Sequence, residues 1–385
     1  MGYAFTPGDV QFLQSADGAA ALAEVDALAL TASTRLADIG RARTRFGSHV
    51  ALLVETVLLR RKAAAKLPGT ENWFFTDDAL QQATPRAVAA HRALRLSDRN
   101  VHDVTCSIGA ELDAAVGTAA TVIGSDLDPV RLLMARHNVP GATVVRADAL
   151  VPCTRGTVVL ADPARRSGGR RTHDPAALEP PLPDLIDAYR GRDLAVKCAP
   201  GLDFDRLGWD GEVEVVSLDG GVREACLWSP GLSGGGVTRR ASVLGSDGTA
   251  WTVTDAEDDD IPERAPGEWI VDPDGAVVRA GLVRHYAARH GLWQLDPRIA
   301  YLTGDSVPDG VRGFRILDQV KYSEKSLRQE LARHDCGVAE ILVRGVDVDP
   351  AVLRPKLKLR GSRSLSVVIT RIGRAGVAFI CAARP

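Results

Sequence analysis

Between residues 101 and 228, short apolar runs alternate with stretches of helical spacing, and four of those runs end on an aspartate. This alternation limits the fold more than any other feature of the chain. Strands separated by helices are joined by right-handed crossovers and build a parallel sheet with helices on its faces. The pattern predicts strands at 101–105, 121–126, 144–146, 158–162 and 194–198. Helices are predicted at 111–116, 129–138 (capped by Asp128) and 182–189. The runs 212–218 and 222–228 follow with no room for a helix between them, so they read as a closing antiparallel pair.

The ends of these strands carry the chemistry. Asp103-Val104-Thr105-Cys106-Ser107-Ile108-Gly109 links the first strand to the first helix. A glycine in such a turn lets a ligand approach the backbone. A dinucleotide site would carry G-x-G-x-x-G here, because a pyrophosphate needs several backbone amides. Only Gly109 is present, which suits a ligand with a nucleoside and no phosphate, such as S-adenosylmethionine. Asp103 would hold that cofactor's amino group, with Thr105 and Cys106 beside it. Asp126, followed by Leu127, ends the second strand about twenty residues after the turn, where a carboxylate accepts both ribose hydroxyls. Asp148, followed by Ala149, ends the third and suits the adenine amino group. Asp162-Pro163-Ala164-Arg165-Arg166 ends the fourth, at the switch point of an open sheet.

The order of Asp103 with Gly109, then Asp126, Asp148 and Asp162-Pro163, resembles that of class I S-adenosylmethionine-dependent methyltransferases. The resemblance implies an α/β fold with a Rossmann-like seven-stranded sheet, S-adenosylmethionine as cofactor, and a target facing Asp162, Pro163, Arg165 and Arg166. Enzymes of this class that methylate exocyclic amines usually carry a second proline and an aromatic after Asp-Pro. Ala164 and Arg165 stand there instead, which counts against adenine-N6 chemistry. Asp-Pro-Ala-Arg is similar to the motif of RNA uracil-carbon-5 methyltransferases, which place a nucleophilic cysteine at the end of the next strand. Cys198 falls at that point, with Lys197 beside it to favour thiolate. The alternative for Cys198 is a core residue in an apolar strand.

Upstream, residues 8–67 have helical spacing up to Pro68-Gly69, and a second helical piece spans 77–96. Asn72 to Thr84 resembles the segment that methyltransferases fold over the cofactor. That implies contacts from Phe75, Thr76, Gln82 and Thr84. The alternative is a packing edge capped by Thr76. Downstream, 237–253 reads as a hairpin turning at Asp247-Gly248, and the acidic run 255–263 as a solvated linker. A smaller α+β unit follows. It has a helix opening at Ser323, with a Glu324–Arg328 pair and Gly337 just past its end. A strand at 341–344, a helix opened by Asp349-Pro350 and a terminal hairpin across 373–376 complete it. Three regions result: 1–96 helical, 97–262 catalytic and 263–385 α+β.

The formal net charge of −2 conceals a separation of charge. Residues 1–100 are net +2, residues 101–310 net −12 and residues 311–385 net +8. Basic side chains cluster at Arg354, Lys356, Lys358 and Arg360, and at Arg170 and Arg171 in the loop after Asp162. Such groups supply phosphate contacts, so RNA is the expected partner. The stretches Gly267–Ile270, Leu295–Leu302, Ser323–Lys325, Arg344–Pro350 and Lys358–Gly361 resemble the THUMP-like domain found behind methyltransferase domains in bacteria. THUMP domains proper bind structured RNA, typically tRNA. The expectation is therefore methylation of a base in tRNA or rRNA. A non-catalytic RNA-binding protein of the same fold, and a methyltransferase for small molecules or proteins, are the alternatives.

Six scattered cysteines form no C-x-x-C pair and no zinc-ligand spacing, so neither a structural metal nor a disulfide framework is expected. The longest Ala/Leu run, 19–30, is broken by Glu24 and Asp26 and cannot span a bilayer. With no basic and apolar leader, the expected compartment is the cytoplasm.

Overall fold

A computed structural model describes residues 2–164 and 174–383, and only the backbone of 166–167 and 170–171 in between. The chain forms two compact units. The first comprises Met1–Leu218, Glu224–Gly235 and Leu244–Thr249, and the second Asp219–Arg223, Gly236–Val243 and Ala250–Pro385.

The first unit begins with α1 (Pro7–Gln14), α2 (Ala16–Asp26), α3 (Arg35–Phe46) and α4 (Val50–Ala63). Thr6 closes a capping box with Asp9 at the start of α1, satisfying amides that the helix leaves unpaired. Gly69, at φ +83°, ends the stretch after α4. The second helical piece is broken in two, α5 (Asp77–Gln82) and α6 (Arg86–Arg95). The cause is Pro85, which disfavours a helical conformation at Thr84 and lacks an amide hydrogen. The break leaves Gln82 at the end of α5, and Ala83 and Thr84 in a bend rather than on a helix face.

Then come β1 (Asn100–Asp103), α7 (Ala110–Val116), β2 (Thr121–Asp126), α8 (Pro129–Asn138), β3 (Thr143–Arg146) and β4 (Val158–Ala161). The unit closes with α9 (Leu182–Ala188), β5 (Leu194–Cys198), β6 (Glu212–Leu218) and β7 (Gly221–Trp228). These seven strands lie in the order β3-β2-β1-β4-β5-β7-β6, and the sheet has nine strands where seven were expected, with two more beyond β6. The first five run parallel, and β7 is antiparallel to β5. The turn between β6 and β7 is Asp219-Gly220, both left-handed, which matches the twist of a tight hairpin. β4 and β5 are buried along their whole length, as central parallel strands are.

The helical N-terminus is not packed apart from the sheet. Val10, Leu22, Leu53 and Phe74 share one hydrophobic cluster with Leu112, Met134 and Val144. Asn138 fastens the connection. Its side chain donates to the carbonyls of Phe74 and Ile108 (both 3.0 Å) and accepts from the Phe74 amide at 2.8 Å. His137 stacks on Phe74 with ring centroids 4.0 Å apart.

The hairpin β8 (Arg239–Leu244) with β9 (Ala250–Thr254) has Gly248 of its turn at φ +89°; the turn, Leu244–Thr249, belongs to the first unit and the rest of the hairpin to the second. β10 (Trp269–Asp272), α10 (Gly275–Arg279), α11 (Val283–Arg289), β11 (Trp293–Gln294) and β12 (Leu302–Gly304) follow. Last come β13 (Arg312–Lys321), α12 (Glu324–Arg333), β14 (Cys336–Val343), α13 (Pro350–Leu357), β15 (Arg363–Ile372) and β16 (Ala375–Ala382). Seven of these strands form a sheet in the order β11-β12-β10-β13-β16-β15-β14, with β14 and β15 parallel.

Ser323 caps α12 and Asp349 caps α13, at the expected residues. Other expectations need correction. The acidic run 255–263 is no free linker: Asp255 accepts from Thr238, Glu257 pairs with Arg289 at 2.5 Å and Asp259 with Arg284 at 3.1 Å. The left-handed residue after α12 is Asp335, at φ +54°. Gly337 lies inside β14 instead, where an added Cβ would stand 2.0 Å from the Gly361 carbonyl oxygen. Glu324 binds Lys356 at 2.6 Å rather than supporting its own helix.

Candidate active site

The carboxyl ends of β1 to β4 surround a cavity of about 470 Å³ in the first unit. Its wall contains Asp103, Asp126, Asp148 and Asp162, one from each strand end or the turn just beyond. Glu111 and Glu179 add two further carboxylates. Arg131 is the one cation among the described lining residues, and it is engaged by Asp78 at 3.0 Å. A wall of this charge favours a cationic ligand.

Backbone amides fix three of the four aspartates. Asp126 accepts from the Ser107 amide at 3.0 Å and from the Asp128 amide at 2.9 Å. Asp148 accepts from the Leu150 amide at 2.9 Å, and Asp103 from the Thr105 amide at 3.0 Å. The turn that offers Ser107 needs two left-handed residues, Ser107 at +48° and Gly109 at +94°. At Gly109 a Cβ would also stand 2.9 Å from Val139 Cγ2. This close packing is the structural demand for glycine, although Gly109 itself does not line the cavity.

Asp103 is 2% exposed. Burial pushes its carboxyl up to about 8, reinforced by Glu111, Asp162 and Asp126 against the hydrogen bond from the Thr105 amide. Burial raises the Cys106 thiol as well, with Asp103 and Asp126 adding to it, so this cavity residue is no thiolate. Glu111 behaves oppositely. Burial would raise it, but Arg92, Lys197 and a hydrogen bond from Thr84 hold it below the usual carboxylate range.

Asp162 sits at the far side of this wall. Its amide donates to Thr105 Oγ1 at 2.7 Å, and its Oδ2 accepts from Lys197 Nζ at 2.5 Å. Lys197 also donates to Thr84 Oγ1 at 2.8 Å. Thr84 in turn donates to Glu111, which is bound by Arg92, and Arg92 also binds Glu224. Opposite Asp162, Ala164 forms a two-way backbone bridge with Glu179, so Leu178 to Pro181 border the same cavity.

Gln82, Thr84, Asp103, Thr105, Cys106, Asp126, Leu127, Asp148, Ala149 and Asp162 thus come together around one space, as the sequence suggests. Five expected residues among those described do not line it: Gly109, Pro163, Phe75, Thr76 and Cys198. Phe75 is wholly buried in the cluster between the helices and the sheet. Thr76 caps α5, accepting from the Ala79 amide at 3.1 Å. Cys198 is 3% exposed and packs with Val104, Val159, Val196 and Leu227, on the sheet face away from Lys197. Strand alternation separates it from its neighbour: adjacent residues on a strand point to opposite faces, so Cys198 turns into the apolar cluster while Lys197 turns toward Asp162. Pro163 is buried. Arg165, and the side chains of Arg166, Arg170 and Arg171, lie outside the described residues. Sequence reasoning passed over Glu111, Arg92 and Arg131, and gave Lys197 a different task. The available signal for Lys197 was a charge inside an otherwise apolar strand.

In the second unit, Lys358 and Arg360 are exposed beside a recess that also contains Arg328. Arg354 donates to the Ala339 carbonyl and Lys356 holds Glu324, so both serve the fold.

The strand order, the acidic strand ends and the single-glycine turn after β1 define the Rossmann-like fold of a class I methyltransferase. Comparison with known proteins specifies the family. Two Mycobacterium tuberculosis proteins, from strains CDC 1551 and H37Rv, are each 58% identical to this chain over 353 residues. The match covers 88% of this chain and 98% of each relative, both described as uncharacterized S-adenosylmethionine-dependent methyltransferases. The chain belongs to that family of S-adenosylmethionine-dependent methyltransferases. A crystal structure from Porphyromonas gingivalis W83, provisionally assigned as a methyltransferase, has the same fold. Its TM-score is 0.75 at 19% identity, with all of both chains covered. The family model described as THUMP domain-like matches residues 311–383, and a domain of unknown function matches 6–63. Among the described residues, no helix is long and apolar enough to cross a membrane.

The cavity suits S-adenosylmethionine by its donor set. Carboxylates on one side match two hydroxyls, an ammonium and a sulfonium, while Leu127, Ala149 and Leu150 offer apolar surface for a purine.

Proposed function

We propose that this methyltransferase modifies a base in structured RNA, tRNA or rRNA. In this reading Asp126 takes the ribose hydroxyls, Asp148 and Ala149 the adenine, and Asp103 with Gln82 and Thr84 the methionine end. When bound, the cofactor supplies an electrophilic methyl group. The protein contributes position: Asp162 and the Leu178–Pro181 border form the wall against which the acceptor base lies, and in-line placement provides most of the rate. The buried, apolar surroundings of Cys198 favour a core role for it over a nucleophilic one.

The observation that carries the RNA reading is the THUMP-like match over 311–383, in a tail of net charge +8. Lys358 and Arg360, exposed and not consumed by ion pairs with described residues, would contact phosphate. Arg170 and Arg171, close after Asp162 in the chain, would add further phosphate contacts. The deciding experiment is mass spectrometry of tRNA and rRNA nucleosides from cells with and without the protein. A methylated nucleoside missing from the deletion strain, and restored by purified enzyme with S-adenosylmethionine, supports the reading. Identical nucleoside profiles reject it.

A further inference from the structure

Lys197 stands on a central strand whose five residues are all buried. Its side chain is 6% exposed. Lysine is almost never found there unless paired. Stability gives little reason to keep it, since a well-packed apolar residue in place of a buried ion pair is often neutral or stabilising. What an apolar residue cannot supply is the ammonium's placement. One proton is donated to Asp162 Oδ2 and another to Thr84 Oγ1, two groups that line the cavity on different elements. Thr84 is held in turn by Glu111, and Glu111 by Arg92 on α6.

We propose that Lys197 is a positioning residue for methyl transfer: it holds the Asp162 carboxylate at the target wall and ties it, through Thr84, to the bend that borders the cofactor's methionine end. The inference rests on the reading that Asp162 faces the acceptor. Lys197 does not touch substrate or cofactor in this arrangement. With Oδ2 occupied by the ammonium, the rest of the carboxylate is aimed at the acceptor as a hydrogen-bond acceptor of fixed direction. An N–H acceptor group donating to it would present its lone pair to the methyl carbon. The nitrogen–carbon bond forms as the carbon–sulfur bond breaks, the electron pair goes to sulfur, and the displaced proton passes to Asp162 and on to water.

The test is a double-variant cycle on Lys197→Met, Asp162→Asn and the two combined, with Lys197→Arg as the conservative change. RNA, protein and small-molecule fractions of cells lacking the protein are each offered with methyl-tritiated S-adenosylmethionine. The fraction labelled by the wild-type enzyme provides the acceptor, so a failure of the RNA reading shows as label in another fraction and leaves the cycle intact. In Lys197→Met, kcat falls about 10–100-fold, the loss of a charged hydrogen bond. Cofactor affinity by calorimetry stays within about threefold. Asp162→Asn falls as far, the combined variant falls no further, and Lys197→Arg recovers most of the rate. Should Lys197→Met not fold, Lys197→Gln takes its place in the cycle. In parallel, the carboxyl carbon resonance of Asp162, identified by its loss in Asp162→Asn, moves in Lys197→Met without any acceptor present. Wild-type turnover in Lys197→Met, losses that multiply in the combined variant, or an unmoved Asp162 resonance overturns the proposal.

Discussion

The Asp126 carboxylate joins two turns: one oxygen accepts the Ser107 amide at 3.0 Å and the other the Asp128 amide at 2.9 Å. The turn after β1 and the turn after β2 are therefore set against each other before any ligand arrives. Replacing Asp126 by Ala removes both this tie and the proposed ribose acceptor. Cofactor affinity should fall about 100-fold or more, given about 1.5–3 kcal/mol for each hydrogen bond to a charged group. Calorimetric titration with S-adenosylmethionine checks this, and affinity within about threefold of wild type would remove Asp126 from the cofactor site.

Asp103 predicts a pH dependence. Its carboxyl, pushed up to about 8 by burial first and neighbouring carboxylates second, is protonated in the ligand-free cavity at neutral pH. Holding a cation requires the ionised form, so binding releases a proton. Affinity should rise by up to about tenfold per pH unit below 8 and level off above it. Stability has the opposite sign: the contribution of a raised carboxyl is complete below its unfolded value, near 3.9, and is lost as pH rises through 8. Asp103→Asn should therefore gain stability relative to wild type as pH rises to about 8 and level off above it, while binding cofactor more weakly. Thermal melts across pH 6–9, beside calorimetry in buffers of different ionisation enthalpy, test both signs.

Cys198 lies among apolar side chains and lines no part of the cavity. Cys198→Ala should keep methyl-transfer activity within about twofold, with a stability cost of about 1 kcal/mol for a small cavity. A loss of a thousandfold or more, with a normal melting temperature, would restore the thiolate mechanism.

Arg92 is 3% exposed and binds both Glu111 and Glu224. Arg92→Met would strand two buried carboxylates. The expected destabilisation is about 3–5 kcal/mol, read from urea unfolding. A change below about 1 kcal/mol would mean that the chain from Glu224 to Asp162 is not held as described.

In the second unit the basic residues should divide by what they already hold. Lys358→Ala and Arg360→Ala should leave the melting temperature unchanged and weaken RNA binding. The slope of log affinity against log salt should become shallower by about 0.7–0.9 for each phosphate no longer neutralised. Arg354→Ala should instead lower the melting temperature, because its guanidinium donates to the Ala339 carbonyl. Equal effects of all three on salt slope and melting would contradict this division.

Most of the first unit's sheet was legible in the chain. β2, β5 and β6 begin and end at the expected residues, since apolar runs bounded by turn residues are local signals. The same locality made the four strand-end aspartates visible, and the cavity gathers all of them. The break at Pro85 was passed over: 77–96 reads as one helical piece by spacing, although proline disfavours helix at the residue before it. Sequence spacing did not disclose which face of a strand looks into the cavity. Lys197 and Cys198 are neighbours in sequence, and only the packed sheet separates them, turning the ammonium toward Asp162 and the thiol into the core.

Partners of charges were likewise decided by tertiary structure. Glu324 has Arg328 one helical turn away, yet its carboxylate lies on Lys356 of another helix. The acidic run after β9 looked like a solvated tether until Arg284 and Arg289 were brought against it. The sequence alone determined the class of sheet, the chemical character of its strand ends and the basic tail, because each depends on residues close together in the chain. The three-dimensional packing alone decided which ions pair, which thiol is buried and how Asp162 is held. Coulombic and hydrogen-bonding interactions act over a few ångströms of space, and only the folded chain brings residues 84, 111, 162 and 197 within that distance.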